Sequence, residues 1–325
     1  MTEPGWTSVH IHYHEPLEAL IRGGVRPLLA EARGLVKSWF FVRHWQAGPH
    51  LRLRLCTPPA HVPQVSALLE RHVGGFLRTH PSRKVIDPEE YQKLAASLVA
   101  VERGQDEVEP LRPDNTMHHV PYRPELARYG GTPEAMRAVE RHFTASSDVA
   151  AELLAGDAGS GRRTGQALAM MLIAAMVPAG AGGLAGHLGT GSRDWGGRLL
   201  FGDPEAGQNR FEQKYLRQRA TLIGTVERVM RLVETGTVDR AGAAVGRWAA
   251  SVTGLRDDLV ALRRRGLFAP REVLIADGAA DADLRSVLLF CSHMHNNRLG
   301  ISLPEEAYLM YLLWRAVSEV TASAR

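Results

Sequence analysis

The hydrophobic period of the chain changes near residue 133, from two to about 3.6, which confines it to an α+β class with strands first and helices later. Upstream, Val9, Ile11 and Tyr13 alternate with His10, His12 and His14, the pattern of a strand with one apolar face. Residues 16–31 carry leucines and isoleucine at helical spacing, and Ser38 to Trp45 (SWFFVRHW) is rich in strand-forming aromatics. Gly48-Pro49 marks a turn before His50 to Cys56 (HLRLRLC), where Leu51, Leu53 and Leu55 face one way and Arg52 and Arg54 the other. A second helix pattern fills 63–79, and a fourth strand is expected between 107 and 122. Strand, helix, strand, strand, helix, strand is the split βαβ order of ferredoxin-like domains. Residues 1–132 therefore read as an α/β region on an antiparallel sheet.

From Pro133 onward helical patterns dominate, over 133–154, 166–176, 211–233, 241–265, 281–299 and 305–322, so residues 133–325 read as a mainly helical region. Within it, residues 180–207 (GAGGLAGHLGTGSRDWGGRLLFGDPEAG) are too glycine-rich to favour a regular element and predict a mobile loop. Their spacing matches neither a phosphate-binding loop nor a dinucleotide fingerprint.

With 45% hydrophobic and 23% charged residues, the 325-residue chain has the make-up of a globular protein. Its longest apolar stretch, 167–181, contains Pro178 and falls short of the roughly 20 residues of a membrane span. The start, MTEPGW, lacks a secretory signal, so a cytoplasmic location without membrane association is expected. A net charge of +4 is spread along the chain without a basic, aromatic-interleaved run, which argues against direct nucleic-acid binding. Cys56 and Cys291 have no metal-ligand or disulfide-framework spacing, and His10, His12 and His14 lack a carboxylate to complete a site. No metal or other cofactor is expected.

Three polar clusters stand out. Arg52 and Arg54 share a strand face about 7 Å apart; they are either a solvated face or a pair of bidentate forks for a carboxylate or oxyanion. In YRPELARYGG, Glu125 and Arg128 sit at i and i+3 on a turn that Gly130-Gly131 ends, which suits a local salt bridge or a binding pair. Residues 292–301, SHMHNNRLGI, put two histidines, two asparagines and an arginine at the end of an apolar helix, either as a solvated helix end or as acid–base groups.

Taken in order, WFFVRHWQAGPHLRLRL, YRPELARYGG and SHMHNNRLGI before a final Glu-led helix resemble the thiopeptide-type bacteriocin biosynthesis domain, the C-terminal elimination half of lantibiotic dehydratases. The resemblance spans nearly the whole chain. The glutamyl-transfer half is absent from the sequence, which implies the stand-alone, split form. The resemblance implies a glutamate eliminase, which turns glutamylated Ser or Thr of a precursor peptide into dehydroalanine or dehydrobutyrine. It assigns His293 as acid/base, with Arg52 and Arg54 holding the glutamyl group. It matches Glu125 and Arg128 to the family's substrate-binding pair and leaves Asn297 and Arg298 to shape the site. The implied partners are a precursor peptide with leader and core and a separate glutamyl-tRNA-dependent transferase; self-association as a homodimer stays open. Two alternatives remain. One is a pyridine synthase joining two dehydroalanines in a formal [4+2] cycloaddition with leader release, a branch that tends to lose the glutamate-handling residues. The other is a non-catalytic scaffold that binds the leader.

Overall fold

The computed structural model describes residues 5–101, 107–156, 160–194, 204–273 and 280–323. It divides into two compact units, Met1–Arg123 with Ala150–Asp157, and Pro124–Val149 with Ala158–Arg325. The α+β class read from the sequence is the class observed.

The N-terminal unit is built on a four-stranded antiparallel sheet: β1 (Gly5–His12), β2 (Ser38–His44), β3 (His50–Thr57) and β4 (Thr116–His119), in the order β2-β3-β1-β4. This is the ferredoxin-like arrangement. Helix α1 (17–31) links β1 to β2, and helix α2 (62–79) follows β3. Alternation decides what each sheet face does. Val9, Ile11, Phe41, Leu51, Leu53 and Leu55 are completely buried, and the register sets Val9 and Phe41 on either side of Leu53. That apolar face continues into α1 and α2, where Leu20, Ile21, Val25, Leu28, Val65, Leu69 and Val73 are equally inaccessible. Both helices widen by a π-turn, at Ile21–Val25 and at Glu70–Gly74. Gly23 lies so close to the Phe76 ring that a Cβ there would stand 2.6 Å from it.

A helix that the periodic reading passed over, α3 (Pro88–Val101), precedes β4. Its start is specified locally: the Asp87 Oδ1 accepts the Glu89 and Glu90 amides at 2.8 and 3.0 Å, and Pro88 needs no donor partner there. Tyr91, Ala95 and Leu98 form its buried stripe.

The C-terminal unit is helical: α4 (Pro133–Ala155, which ends in the N-terminal unit), α5 (Ser160–Asp194), α6 (Pro204–Glu234), α7 (Ala243–Arg264), α8 (Ala282–Leu299) and α9 (Leu303–Ser323). α5 packs against α6, α7, α8 and α9. Here the expected mobile loop at 180–207 is corrected. Residues 181–194 continue α5 beyond a break at Gly180 (φ 60°), and α6 begins at Pro204; residues 195–203 lie outside the described residues. The glycines permit close packing. A Cβ at Gly189 would lie 3.0 Å from the Trp314 indole nitrogen, and one at Gly191 3.1 Å from Met310. Burial of Leu184 and Leu188 beside them offsets the roughly 1 kcal/mol that each glycine costs a helix interior. No described helix is long and apolar enough to cross a membrane.

Gly131 tests the architecture. Its φ is +78°, and a Cβ would collide with the Ala269 carbonyl oxygen. Gly131→Ala is expected to lower unfolding free energy by about 2–3 kcal/mol, read by urea denaturation; an unchanged midpoint would show that this turn does not pin the unit.

Candidate functional site

The second face of the N-terminal sheet is polar, yet largely buried. The register aligns His44, His50 and His12 in one row across β2, β3 and β1, and Val42, Arg52, His10 and His118 in the next, which extends to β4. The imidazoles touch: His10 and His12 stack on His50 at 4.9 and 4.6 Å between centroids, and His44 meets it edge-on at 5.3 Å.

Hydrogen bonds fix the protonation of this cluster. The Arg52 Nε donates to the His50 Nε2 at 3.2 Å. Because arginine can only donate, that nitrogen must carry a lone pair, so the His50 Nδ1–H donates to the Gly48 carbonyl at 2.9 Å. In the same way an Arg54 Nη donates to the His10 Nε2 at 3.2 Å. Burial, reinforced by Arg52 and Arg54, holds the His10 pKa down to about 3; burial, then His118 and Arg112, hold His12 down to about 4. His44 and His50 are displaced the same way, chiefly by burial. At neutral pH these imidazoles are uncharged. Arg54 is only 8% exposed, with its guanidinium 5.6 Å from the Tyr122 ring centroid. Burial and then Arg52 lower its pKa to about 10, which leaves it charged.

Above this floor lies a cavity of about 110 Å³ lined by His10, His12, Gln46, Ala47, His50, Arg52, Glu109, Arg112, His118 and Val120. It is a cationic pocket in which His10, His12 and His50 are neutral. Among the described residues no three of His, Cys, Asp or Glu are grouped so as to hold a metal ion.

In the C-terminal unit α8 splits the SHMHNNRLGI segment between two faces. His293 and Asn297, at i and i+4, are half-buried, whereas His295, Asn296 and Arg298 are buried. The His293 Nδ1 lies 2.7 Å from the Glu306 Oε2 on α9, and Glu306 is only 1% exposed. A carboxylate on Nδ1 leaves Nε2 as the nitrogen with the lone pair. His295 stacks on Trp248 at 4.2 Å and bonds Ser146. Arg298 donates to the Ser147 and Ser146 hydroxyls at 3.1 and 3.3 Å and covers the Phe143 ring at 4.6 Å. These contacts are architectural.

Glu125 and Arg128 do pair, at 2.8 Å, but Arg128 also donates to Glu272 at 3.1 Å and sits over the Phe290 ring. Their segment is a set of turns whose Ala127 carbonyl accepts the Arg271 amide at 2.8 Å. Arg52 and Arg54 share one face as their spacing required, but that face is the floor of a pocket. Glu306, Glu272, Gln46, Glu109, Arg112, His44 and His118 were not singled out by the sequence reading. For Glu306 a signal existed: it falls on the buried stripe of α9 with Leu309, Met310 and Leu313, where a charge needs a partner.

The family model for the C-terminal part of lantibiotic biosynthesis dehydratases matches residues 6–317, and the chain belongs to that family. Membership places it in the biosynthesis of ribosomally made, modified peptides. Among solved structures it is similar to TbtD, a pyridine synthase from thiomuracin biosynthesis, with a TM-score of 0.81 and 23% identity over 98% of this chain and 99% of that one. It is also similar to TsrL (0.70, 20%, 98% and 95%). A third likeness is to MibB, a tRNA-dependent lantibiotic dehydratase from Microbispora sp. 107891 (0.60, 17%), covering all of this chain but 29% of that one. At these identities the likeness defines the fold. No curated protein matches the chain by sequence.

The neutral histidines have a thermodynamic consequence. With folded pKa values near 3 and 4 against 6.5 when exposed, His10 and His12 bind fewer protons folded than unfolded as pH falls below 6.5, and stability falls with it. His142 and His295, lowered mainly by burial, add in the same sense. The denaturation midpoint is therefore expected to drop between pH 7 and pH 5, above the range where carboxylates titrate. A flat profile would mean the imidazoles are not held neutral.

Proposed function

We propose that the chain is a glutamate eliminase acting on a precursor peptide that a separate glutamyl-tRNA-dependent transferase has glutamylated on Ser or Thr. The observation that carries this reading is the cationic pocket over the sheet. In the reaction a base removes the Cα proton of the glutamylated residue. The electron pair forms the Cα–Cβ double bond, the Cβ–O bond breaks and glutamate departs as an anion. An anionic leaving group needs fixed positive charge, and Arg52, backed by Arg54, supplies it without reorganisation. His293 is suited to the proton transfer, since Glu306 fixes its tautomer and leaves Nε2 as the base. Asn297 shares its helix face, while Glu125, Arg128 and Arg298 act by holding the turn and α8 in place.

The pyridine synthase reading keeps one specific support. Two residues whose retention would argue for glutamate handling, Glu125 and Arg128, have architectural contacts that a cyclase would need equally.

Reconstitution separates the two. Purified protein with precursor, transferase and glutamyl-tRNA is expected to give dehydrated residues with the leader attached, whereas leader release from an already dehydrated peptide would establish the cyclase. Under the elimination reading His293→Ala accumulates glutamyl adducts, visible by mass spectrometry. Arg52→Lys is expected to fold but eliminate about 10²- to 10³-fold more slowly, because a point charge does not reproduce the fork. Near-normal turnover by both variants would remove these residues from the mechanism.

A further inference from the structure

The cations dispersed along the sequence are gathered by one helix. On α6, Arg210, Lys214, Arg217, Arg228 and Arg231 follow one another at intervals that return to the same side of a helix of 3.6 residues per turn, and all five are exposed. The ion pairs that α6 forms among the described residues, Arg219 with Glu319 and Glu212 with Arg315, turn toward α9 instead. Lys214 lies 5.0 Å over the Tyr308 ring. Arg210, Arg217, Arg228 and Arg231 have no ion pair among the described residues. The exposed acids Glu227 and Glu234 stand at the edge of this line of cations, not on it.

The middle of the line is bare. Between Arg217 and Arg228 it is occupied by Thr221 and Gly224, with Ala220 beside them, all exposed. Glycine is among the poorest residues for a helix interior, and the fold has no use for this one: a Cβ at Gly224 would meet nothing within 4 Å. What the glycine permits is close approach of a backbone from outside. At one end of the gap Leu216 is 58% exposed, although Tyr215, Leu222, Val226, Val229 and Met230 already supply the buried stripe of α6.

The charge pattern selects the occupant. A second copy of this chain fits badly, because a two-fold axis at the gap would set Arg217 of one copy against Arg228 of the other, and like charges in an interface repel. A nucleic-acid backbone fits badly too. Arg217 and Arg228 are about 16 Å apart along the helix, and phosphates spaced roughly 3.4 Å along each strand would cross that span with no cation to meet. An acidic helix matches. Its backbone can cross α6 where the side chains are small, an apolar residue on it can cover Leu216, and carboxylates on either side of the crossing can reach the forks of Arg217 and Arg228. We propose that the outer face of α6 is a docking surface for an acidic amphipathic helix of a different polypeptide, which crosses at Thr221 and Gly224. The surface uses no residue of the sheet pocket or of the His293–Glu306 pair, so it stands whichever reaction the chain catalyses.

The test is a fluorescence-anisotropy titration of the full chain with three labelled probes. The first is an alanine-based helix of about 20 residues, roughly 30 Å long, with one central leucine and glutamates in both end turns. The second carries lysines for the glutamates, and the third is single-stranded oligouridylate. The acidic helix is expected to bind saturably and the lysine helix not at all. Its affinity is expected to fall by about tenfold between about 0.01 and 0.1 M salt, as the Debye length shrinks from about 30 to 10 Å. Arg217→Glu with Arg228→Glu is expected to abolish binding by reversing the charge on both sides of the crossing. Gly224→Leu keeps every charge and fills the gap, and is expected to weaken binding by about tenfold. Gly224→Ala is expected to raise the melting temperature, since alanine is the better helix former and the space is open. Unchanged or raised melting temperatures will show that the other variants fold. No saturable binding of the acidic helix, tighter binding of the oligouridylate, normal binding by the charge-reversed variant or normal binding by Gly224→Leu would each overturn the proposal. So would a dimer of the unaltered chain in sedimentation that Gly224→Leu dissociates, which would give this face to a second copy.

Discussion

The polar half of the N-terminal unit depends on one hydrogen-bonded line: Arg52 to the His50 Nε2, and the His50 Nδ1 to the Gly48 carbonyl. Each bond dictates the next. A guanidinium that can only donate makes His50 neutral, and a neutral His50 can then be stacked between His10 and His12 without repelling Arg52 and Arg54. Had the imidazoles been charged, five or more positive groups would share one sheet face. Gly48 completes the line in a way no other residue could. Its φ is +96°, and a Cβ would stand 2.7 Å from Leu111 and 3.1 Å from the His14 ring.

Much of the fold was legible because it follows from alternation. Leu51, Leu53 and Leu55 announced a buried face, and the order of periodic segments gave the split βαβ topology. Two elements escaped. The α3 helix has a clear start at Asp87-Pro88, yet its apolar stripe is only Tyr91, Ala95 and Leu98, too thin for a periodicity reading to register. The 180–207 stretch failed for the opposite reason: glycine was read as conformational freedom, whereas Gly189 and Gly191 serve close approach to Trp314 and Met310 on α9. Intrinsic helix propensity ranks glycine low, and tertiary packing reversed it.

The candidate site was legible in its charges and not in its partners. Arg52 and Arg54 stood out from spacing, whereas His293 was picked from its polar helix end only by resemblance. That His10 and His12 belong to a floor rather than to a solvated face could not be read locally, because burial of the second sheet face depends on residues 107–120, far away in sequence. The same holds for α8. Spacing places His293 and His295 side by side in the motif, while the helix turns His295 inward onto Trp248 and leaves His293 to Glu306. Arg298, which the resemblance leaves to shape the site, is fully buried on Ser146 and Ser147.

The account rests on a neutral, tautomerically fixed His50, because the orientation of Arg52 and the charge of the pocket both follow from it. Imidazole ¹⁵N shifts of His50 in the full chain at pH 7 measure this directly. The account requires a neutral ring protonated on Nδ1 with an unprotonated Nε2, unchanged down to about pH 5. A protonated ring, or a proton on Nε2, would contradict it and leave Arg52 without its support.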